Sequence, residues 1–247
     1  MPSLEKKLNN PPYVHNFVRY LDETEEKTTK NLVSFAKGKP ISSYVTGNKI
    51  VKDRVNLKIN RSTALKACDK IATLNRAMNT EYVTAFLDHD EEIGISRRQA
   101  YDQFVSPFRV SSDCNVPVKP LSITALNNRL HVMFSFGWQS NPLSRFQIRM
   151  MMTMLEDAVF TLTDFRNAEG ELFFFPRQKK DDKESRKAQI IRRGDFELYT
   201  TSQMREYLDI YLSALSKAKE ILRSEPQTDE SDSRNVIHID PRQMRLL

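Results

Sequence analysis

Residues 54–60 alternate without a break: Arg54, Asn56, Lys58 and Asn60 are polar, and Val55, Leu57 and Ile59 are apolar. A period of two predicts a strand with the two sets on opposite faces. The period then changes. Ser62 can cap a helix in which Leu65, Cys68, Ile71, Ala72 and Leu74 recur at helical spacing. After Asn75-Arg76-Ala77-Met78, Asn79 or Thr80 can cap a second helix with Tyr82, Val83, Phe86 and Leu87 on one side. Residues 54–88 are expected to run strand, helix, turn, helix.

Upstream, a sparse helical pattern (Phe17, Leu21, Leu32, Phe35) covers 13–36 and ends at Gly38-Lys39-Pro40. Residues 41–52 are polar and read as a linker or a short hairpin around Gly47-Asn48. Downstream, a short helix is expected over 96–104, a strand over 130–136 and a long helix over 143–165. Gly170 leads into a strand at 171–175, a charged loop covers 179–187, and further strands are expected at 190–191 and 196–199. An amphipathic helix covers 202–222. Residues 226–234 have the composition of a disordered segment, followed by a candidate terminal strand at 236–239. The expected class is α+β, in four parts: a helical extension and linker (1–52), the strand–helix–helix unit (53–90), a larger α+β part (91–224) and an acidic tail (225–247).

A chain of 247 residues is long enough that burying a core is not the limiting problem. No apolar run approaches the roughly 20 residues of a membrane span, and Met1 to Lys7 has no apolar stretch behind it of the kind a secretory signal carries. Cys68 and Cys114 lack metal-type spacing and suit a reducing cytosol. A cytoplasmic protein without a membrane partner is expected. The net charge of +6 is concentrated: Lys37, Lys39, Lys49, Lys52, Arg54, Lys58, Arg61, Lys66, Lys70 and Arg76 meet only Asp53 and Asp69. Acidic stretches follow at 88–92 and 229–232. A basic concentration is the footprint of a polyanion partner, because phosphate contacts release counterions; a merely solvated basic face is the alternative.

No catalytic constellation emerges. His15, His89, His131 and His238 do not cluster, and His89-Asp90 reads as a charged helix end rather than a metal pair. The carboxylate pairs Glu156-Asp157 and Asp181-Asp182 are explained by solvated positions, and no glycine loop of phosphate-binding type is present. Met150, Met151, Met152 and Met154 suit core or dimer packing, and Phe173-Phe174-Phe175 suits a strand buried on both sides. No metal, no cofactor and no enzymatic activity are expected.

The segment 54–88 resembles the ribbon-helix-helix family of DNA-binding proteins: the strand at Arg54 to Ile59, the first helix at Leu65 to Leu74, and the second opening at Asn79-Thr80-Glu81-Tyr82. The resemblance covers about 35 residues. It implies a homodimer paired through antiparallel strands, with Val55, Leu57 and Ile59 in the shared core. Arg54, Asn56 and Lys58 would then read bases in the major groove. Met78, Asn79 and Thr80, at the start of the second helix, would offer backbone N–H groups to phosphate. An ordinary amphipathic edge strand is the alternative for 54–59. The segment and the overall size are also similar to regulators of conjugative transfer on bacterial resistance plasmids. The expected function is a sequence-specific transcriptional regulator on double-stranded DNA, with RNA polymerase or another regulator as a further partner. An accessory protein of partition, relaxosome or replication complexes is the alternative.

Overall fold

A five-stranded sheet divides the apolar side chains into two cores. In the computed structural model, which describes residues 4–38, 44–94, 98–101, 103–126, 128–180 and 183–224, the strands are β1 (Arg98–Tyr101), β2 (Ser106–Arg109), β3 (Asn115–Val118), β4 (Ser122–Leu126), β5 (Arg129–Phe136), β6 (Glu169–Phe174), β7 (Arg177–Lys180), β8 (Lys183–Arg186) and β9 (Gln189–Arg192). The main sheet has the order β1-β4-β5-β6-β9, with β2-β3 and β7-β8 as separate hairpins. The β5–β6 pair is parallel and the other neighbours are antiparallel. A parallel pair needs a long crossover, and helix α7 (Arg145–Leu155), opened by a Ser144/Gln147 capping box, lies in it.

Alternation along the central strands sorts the cores. Val132, Phe134 and Phe136 of β5, with Leu172 and Phe174 of β6, face one core, shared with α7 and the carboxy-terminal helix α8 (Thr201–Ser224). Met133, Phe173 and Phe175 face the other. The expected strands at 130–136 and 171–175 and the double-sided burial of the three phenylalanines are found, and the four methionines are core. The first core also takes in α1 (Leu4–Leu8), α2 (Val14–Phe17) and α3 (Glu25–Lys37). The expected helix over 13–36 is thus broken, by a 3₁₀ turn at Val18–Tyr20 and extended backbone at Leu21.

The second core belongs to three consecutive helices, α4 (Val45–Leu57), α5 (Arg61–Asp69) and α6 (Thr73–Ile93). Two expectations are overturned here. Residues 45–52 are helix, not linker or hairpin, and residues 54–57 continue that helix and form no strand. The reason is the longer period. Gly47, Ile50, Val51 and Val55 are the buried positions of α4, at the i, i+3, i+4 spacing of a helical face. Only Val55 of the alternating apolar set lies on that face; Leu57 is 66% exposed. The helix stops at Lys58, whose backbone is left-handed (φ 55°). Asn60 then caps α5 by accepting from the Thr63 N–H at 2.8 Å.

Further differences lie downstream. Residues 98–101 are strand where a helix was expected, and 196–199 form no strand. The expected helix over 143–165 passes after Leu155 into a π turn (Glu156–Phe160) and a 3₁₀ turn (Thr163–Phe165). The charged segment 179–187 is largely a hairpin. Its register continues that of β6 and β9: Phe174 opposes Gln189, Arg177 opposes Arg186, and Lys180 opposes Lys183. One long antiparallel hairpin therefore leaves the sheet as a two-stranded arm. The terminal strand and the acidic tail expected over 225–247 lie outside the described residues.

Candidate nucleic-acid interface

Most side chains expected to touch DNA are tied into the chain's own structure. Arg54 donates from Nε to Asp90 Oδ2 at 2.8 Å and from Nη1 to the Ile59 carbonyl at 2.8 Å. Asn56 accepts from the Ser122 hydroxyl of β4. Lys58 supplies the left-handed stop of α4. The three share no reading face: Asn56, two residues from Arg54, lies on another side of α4, and Lys58 stands past the helix end in left-handed backbone. Val55 and Ile59 pack in the second core of this same chain, and Leu57 is exposed. The dimer core expected at these three residues therefore has no strand to form it.

The expected phosphate-binding residues are also displaced. α6 begins at Thr73, so Met78, Asn79 and Thr80 lie inside it, where backbone N–H groups are spent on helix hydrogen bonds. Asn79 is fully buried; its Oδ1 accepts from the Gly47 N–H at 2.8 Å and its Nδ2 donates to the Asn75 carbonyl at 2.8 Å. A Cβ on Gly47 would stand 2.5 Å from that Oδ1. Glycine is what lets α4 approach α6 so closely.

The helix–turn–helix portion of the expectation is present with shifted bounds. α5 buries Ala64 and Cys68 one turn apart, Ile71 fills the connection, and α6 continues the face with Tyr82, Val83, Phe86 and Leu87. Three residues, Lys70, Ile71 and Ala72, join the helices. Arg76 closes the turn by donating from Nε to the Ile71 carbonyl at 3.1 Å.

Charge along this unit is sorted by end. At the carboxy end of α6, Arg61 reaches Asp88 at 2.7 Å and Glu91 at 2.9 Å, while Arg54 holds Asp90. Arg54 and Arg61 of the basic segment are thus neutralised by the acidic stretch that follows it. The amino end differs. Lys66, Lys70 and Arg76 are exposed, and among the described residues no carboxylate pairs with them. The cap position is Ala72, which has no side-chain acceptor. The helix dipole favours anions at this end and cations at the other, by about 0.3–1 kcal/mol per charge. α6 carries acids at its carboxy end, compensated from within the chain, and Arg76 near its start; Lys66 and Lys70 belong to the carboxy end of α5, where a cation is favoured. Thr73, Leu74 and Ala77 are exposed in the same turns, Leu74 at 88%.

A buried polar network fixes α6 against the sheet and the arm. Arg177 makes a bidentate pair with Glu81 at 2.8 and 2.9 Å. Arg186, whose side chain is fully buried, donates from Nη2 to Glu81 at 3.1 Å and to the Tyr44 hydroxyl at 3.2 Å, and from Nη1 to the Gly137 carbonyl at 2.7 Å. Burial alone would raise the Glu81 carboxyl; hydrogen bonds from Arg177 and Arg186 outweigh it and hold the group below its ordinary value. The Tyr82 hydroxyl sits between Asn48 (2.8 Å) and Ser135 (2.6 Å). Sequence reasoning missed this network. Its one legible trace was two arginines flanking a charged segment.

Among the described residues, no three His, Cys, Asp or Glu side chains are grouped to hold a metal. Glu156 is engaged by Arg193 at 2.8 Å, and Asp181-Asp182 lie outside the described residues. Cys68 and Cys114 are both buried and free. No described helix is long and apolar enough to cross a membrane. No family model, no curated protein and no solved structure matches the chain.

Proposed function

We propose that this protein binds double-stranded DNA and regulates transcription, with the amino-terminal turn of α6 as the element that meets the duplex. The observation that carries this reading is the uncompensated cation group Lys66, Lys70 and Arg76 around a helix start that has no side-chain cap. Arg76 stands near the positive end of α6, Lys66 and Lys70 at the carboxy end of α5, and none has a carboxylate partner among the described residues; a phosphate backbone supplies an anion to all three. The three-residue connection between α5 and α6 suits a helix-turn-helix, in which the second helix enters the major groove by its first turns. Thr73 and Leu74 would lie nearest the base edges, where an apolar side chain can meet a thymine methyl group. The reading places a helix, not the ribbon at 54–59, in the groove. A homodimer would set two such units on a two-fold site, and the larger remainder of the chain would then meet the transcription machinery.

The test is a salt series on the best site found by genome-wide or plasmid-wide mapping. Replacing Lys66, Lys70 and Arg76 by Gln should reduce the slope of log K against log salt by about 0.9 for each lost phosphate contact. An unchanged slope and affinity in the triple variant would overturn the reading. Occupancy of promoters, rather than of origins or transfer sites, would separate a regulator from an accessory protein.

A further inference from the structure

The first two turns of α6 expose an apolar side chain where a solvated helix would carry a polar one. Thr73, Leu74 and Ala77 stand in solvent, Leu74 at 88%. Residues four apart in a helix share a face, so Thr73 and Ala77 lie one above the other and Leu74 is one residue round from Thr73. A leucine this open to water gains free energy from any surface that covers it. Its neighbours say which kind of surface. Lys66, Lys70 and Arg76 are exposed, and among the described residues no carboxylate pairs with them. A polyanion that also carries apolar groups covers the leucine and meets the cations at once.

The polar side chains suited to reading a base are drawn off this face. Bidentate pairing with guanine takes Arg or Lys, and with adenine Asn or Gln. Within α6 the residues of these types are Asn75, Arg76 and Asn79. Asn79 is fully buried, with Oδ1 on the Gly47 N–H and Nδ2 on the Asn75 carbonyl. Asn75 is half-buried, and Arg76 is turned back to the Ile71 carbonyl through Nε at 3.1 Å. What remains outward is a leucine, an alanine and a threonine, each ending in methyl groups. In the major groove the apolar mark of a base pair is the C5-methyl group of thymine; 5-methylcytosine carries the same group at the same ring position. A helix rises about 1.5 Å per residue and a base step about 3.4 Å, so Thr73 to Ala77 spans about two base steps along the groove.

We propose that α6 recognises 5-methylpyrimidines: Leu74, with the methyl groups of Thr73 and Ala77, packs on C5-methyl groups at about two adjacent steps of the duplex. The inference rests on the DNA reading of α6 and adds the chemical feature of the base that is read. Thymine and 5-methylcytosine share that feature, and cytosine and deoxyuridine lack it.

The test is selection of the full chain against short random-sequence duplexes at low salt, followed by titration of the best duplex remade with deoxyuridine at single thymines. Each deoxyuridine under the helix should weaken binding about fourfold, from one methyl group left unburied. At the same position 5-methylcytosine, paired with guanine, should bind about fourfold more tightly than cytosine. The Thr73→Ser/Leu74→Ala double variant should close most of the thymine-to-deoxyuridine difference; both side chains stand in solvent, so the fold does not depend on them. Lys66→Gln with Lys70→Gln should weaken both duplexes alike and keep their ratio. Retention of no duplex at low salt would overturn the DNA reading and this inference with it. Salt-dependent binding that deoxyuridine does not weaken, or an undiminished difference in the double variant, would overturn this inference alone.

Discussion

Arg54 donates from Nε to Asp90 Oδ2 at 2.8 Å, so a side chain from the most basic stretch is spent on the acidic stretch that follows it. Arg54→Ala would leave Asp90 and the Ile59 carbonyl without this donor. We expect a loss of about 1–3 kcal/mol in urea unfolding and no change in DNA sequence preference. A change in preference at unaltered stability would restore a reading role to Arg54.

Gly47 carries the close approach of α4 and α6. Gly47→Ala places a methyl group against Asn79 Oδ1, where the contact would be 2.5 Å. The helices must separate or Asn79 must leave the Gly47 N–H, and we expect destabilisation of about 1–3 kcal/mol. Gly94, left-handed at φ 62° beyond the end of α6, provides a comparison. Its Ala variant should act through backbone strain alone, with no loss of α4–α6 packing by amide exchange.

Glu81 should couple the arm to acid. Its carboxyl lies below the ordinary value in the folded chain. Its stabilising contribution is therefore complete above the unfolded value near 4.5 and disappears as pH falls through the folded one. Amide exchange over 177–186 should accelerate in that acid range. Glu81→Gln should show fast exchange at every pH; protection equal to wild type at pH 7 would count against the clamp.

His15 titrates in the same direction, over a higher pH range. Burial, with a smaller push from Arg19, lowers its pKa from 6.5 to about 4. Nε2 pairs with the Asn16 amide at 3.2 Å, as an acceptor while unprotonated. The unfolded chain takes up this proton first, so stability should fall as pH drops from about 6.5 to about 4 and level off below. At 1.36 kcal/mol per unit the shift sets a ceiling of about 3 kcal/mol on this change. His15→Gln should flatten melting temperature against pH in that window.

The legibility of the chain differed between its two halves. β5 and β6 were readable because continuous apolar runs such as Phe173-Phe174-Phe175 have few other homes. The segment at 54–59 was misread because six residues satisfy two periods at once. Extending the window back to Gly47 exposes the i+4 series Gly47, Val51 and Val55, which outweighs the alternation. The helical pair after it was legible from Cys68, Tyr82, Val83 and Phe86, though Asn79 misled, since its cap-like chemistry serves the contact with Gly47. The Glu81 clamp was not readable. It joins residues 96 and 105 positions apart in the chain, and no local pattern marks such a pairing.

Because the register of β6 with β9 runs unchanged into the arm, the hairpin has only one kind of tolerated length change. Removing one residue from each strand at the tip shortens the arm and leaves Arg177 opposite Arg186. Removing one residue from a single strand between Phe174 and Arg177 rotates everything beyond it by half a turn, turns Arg177 away from Glu81 and unfastens the arm from α6. Natural variation in this part of the molecule should therefore come in matched pairs, like rungs taken from a ladder.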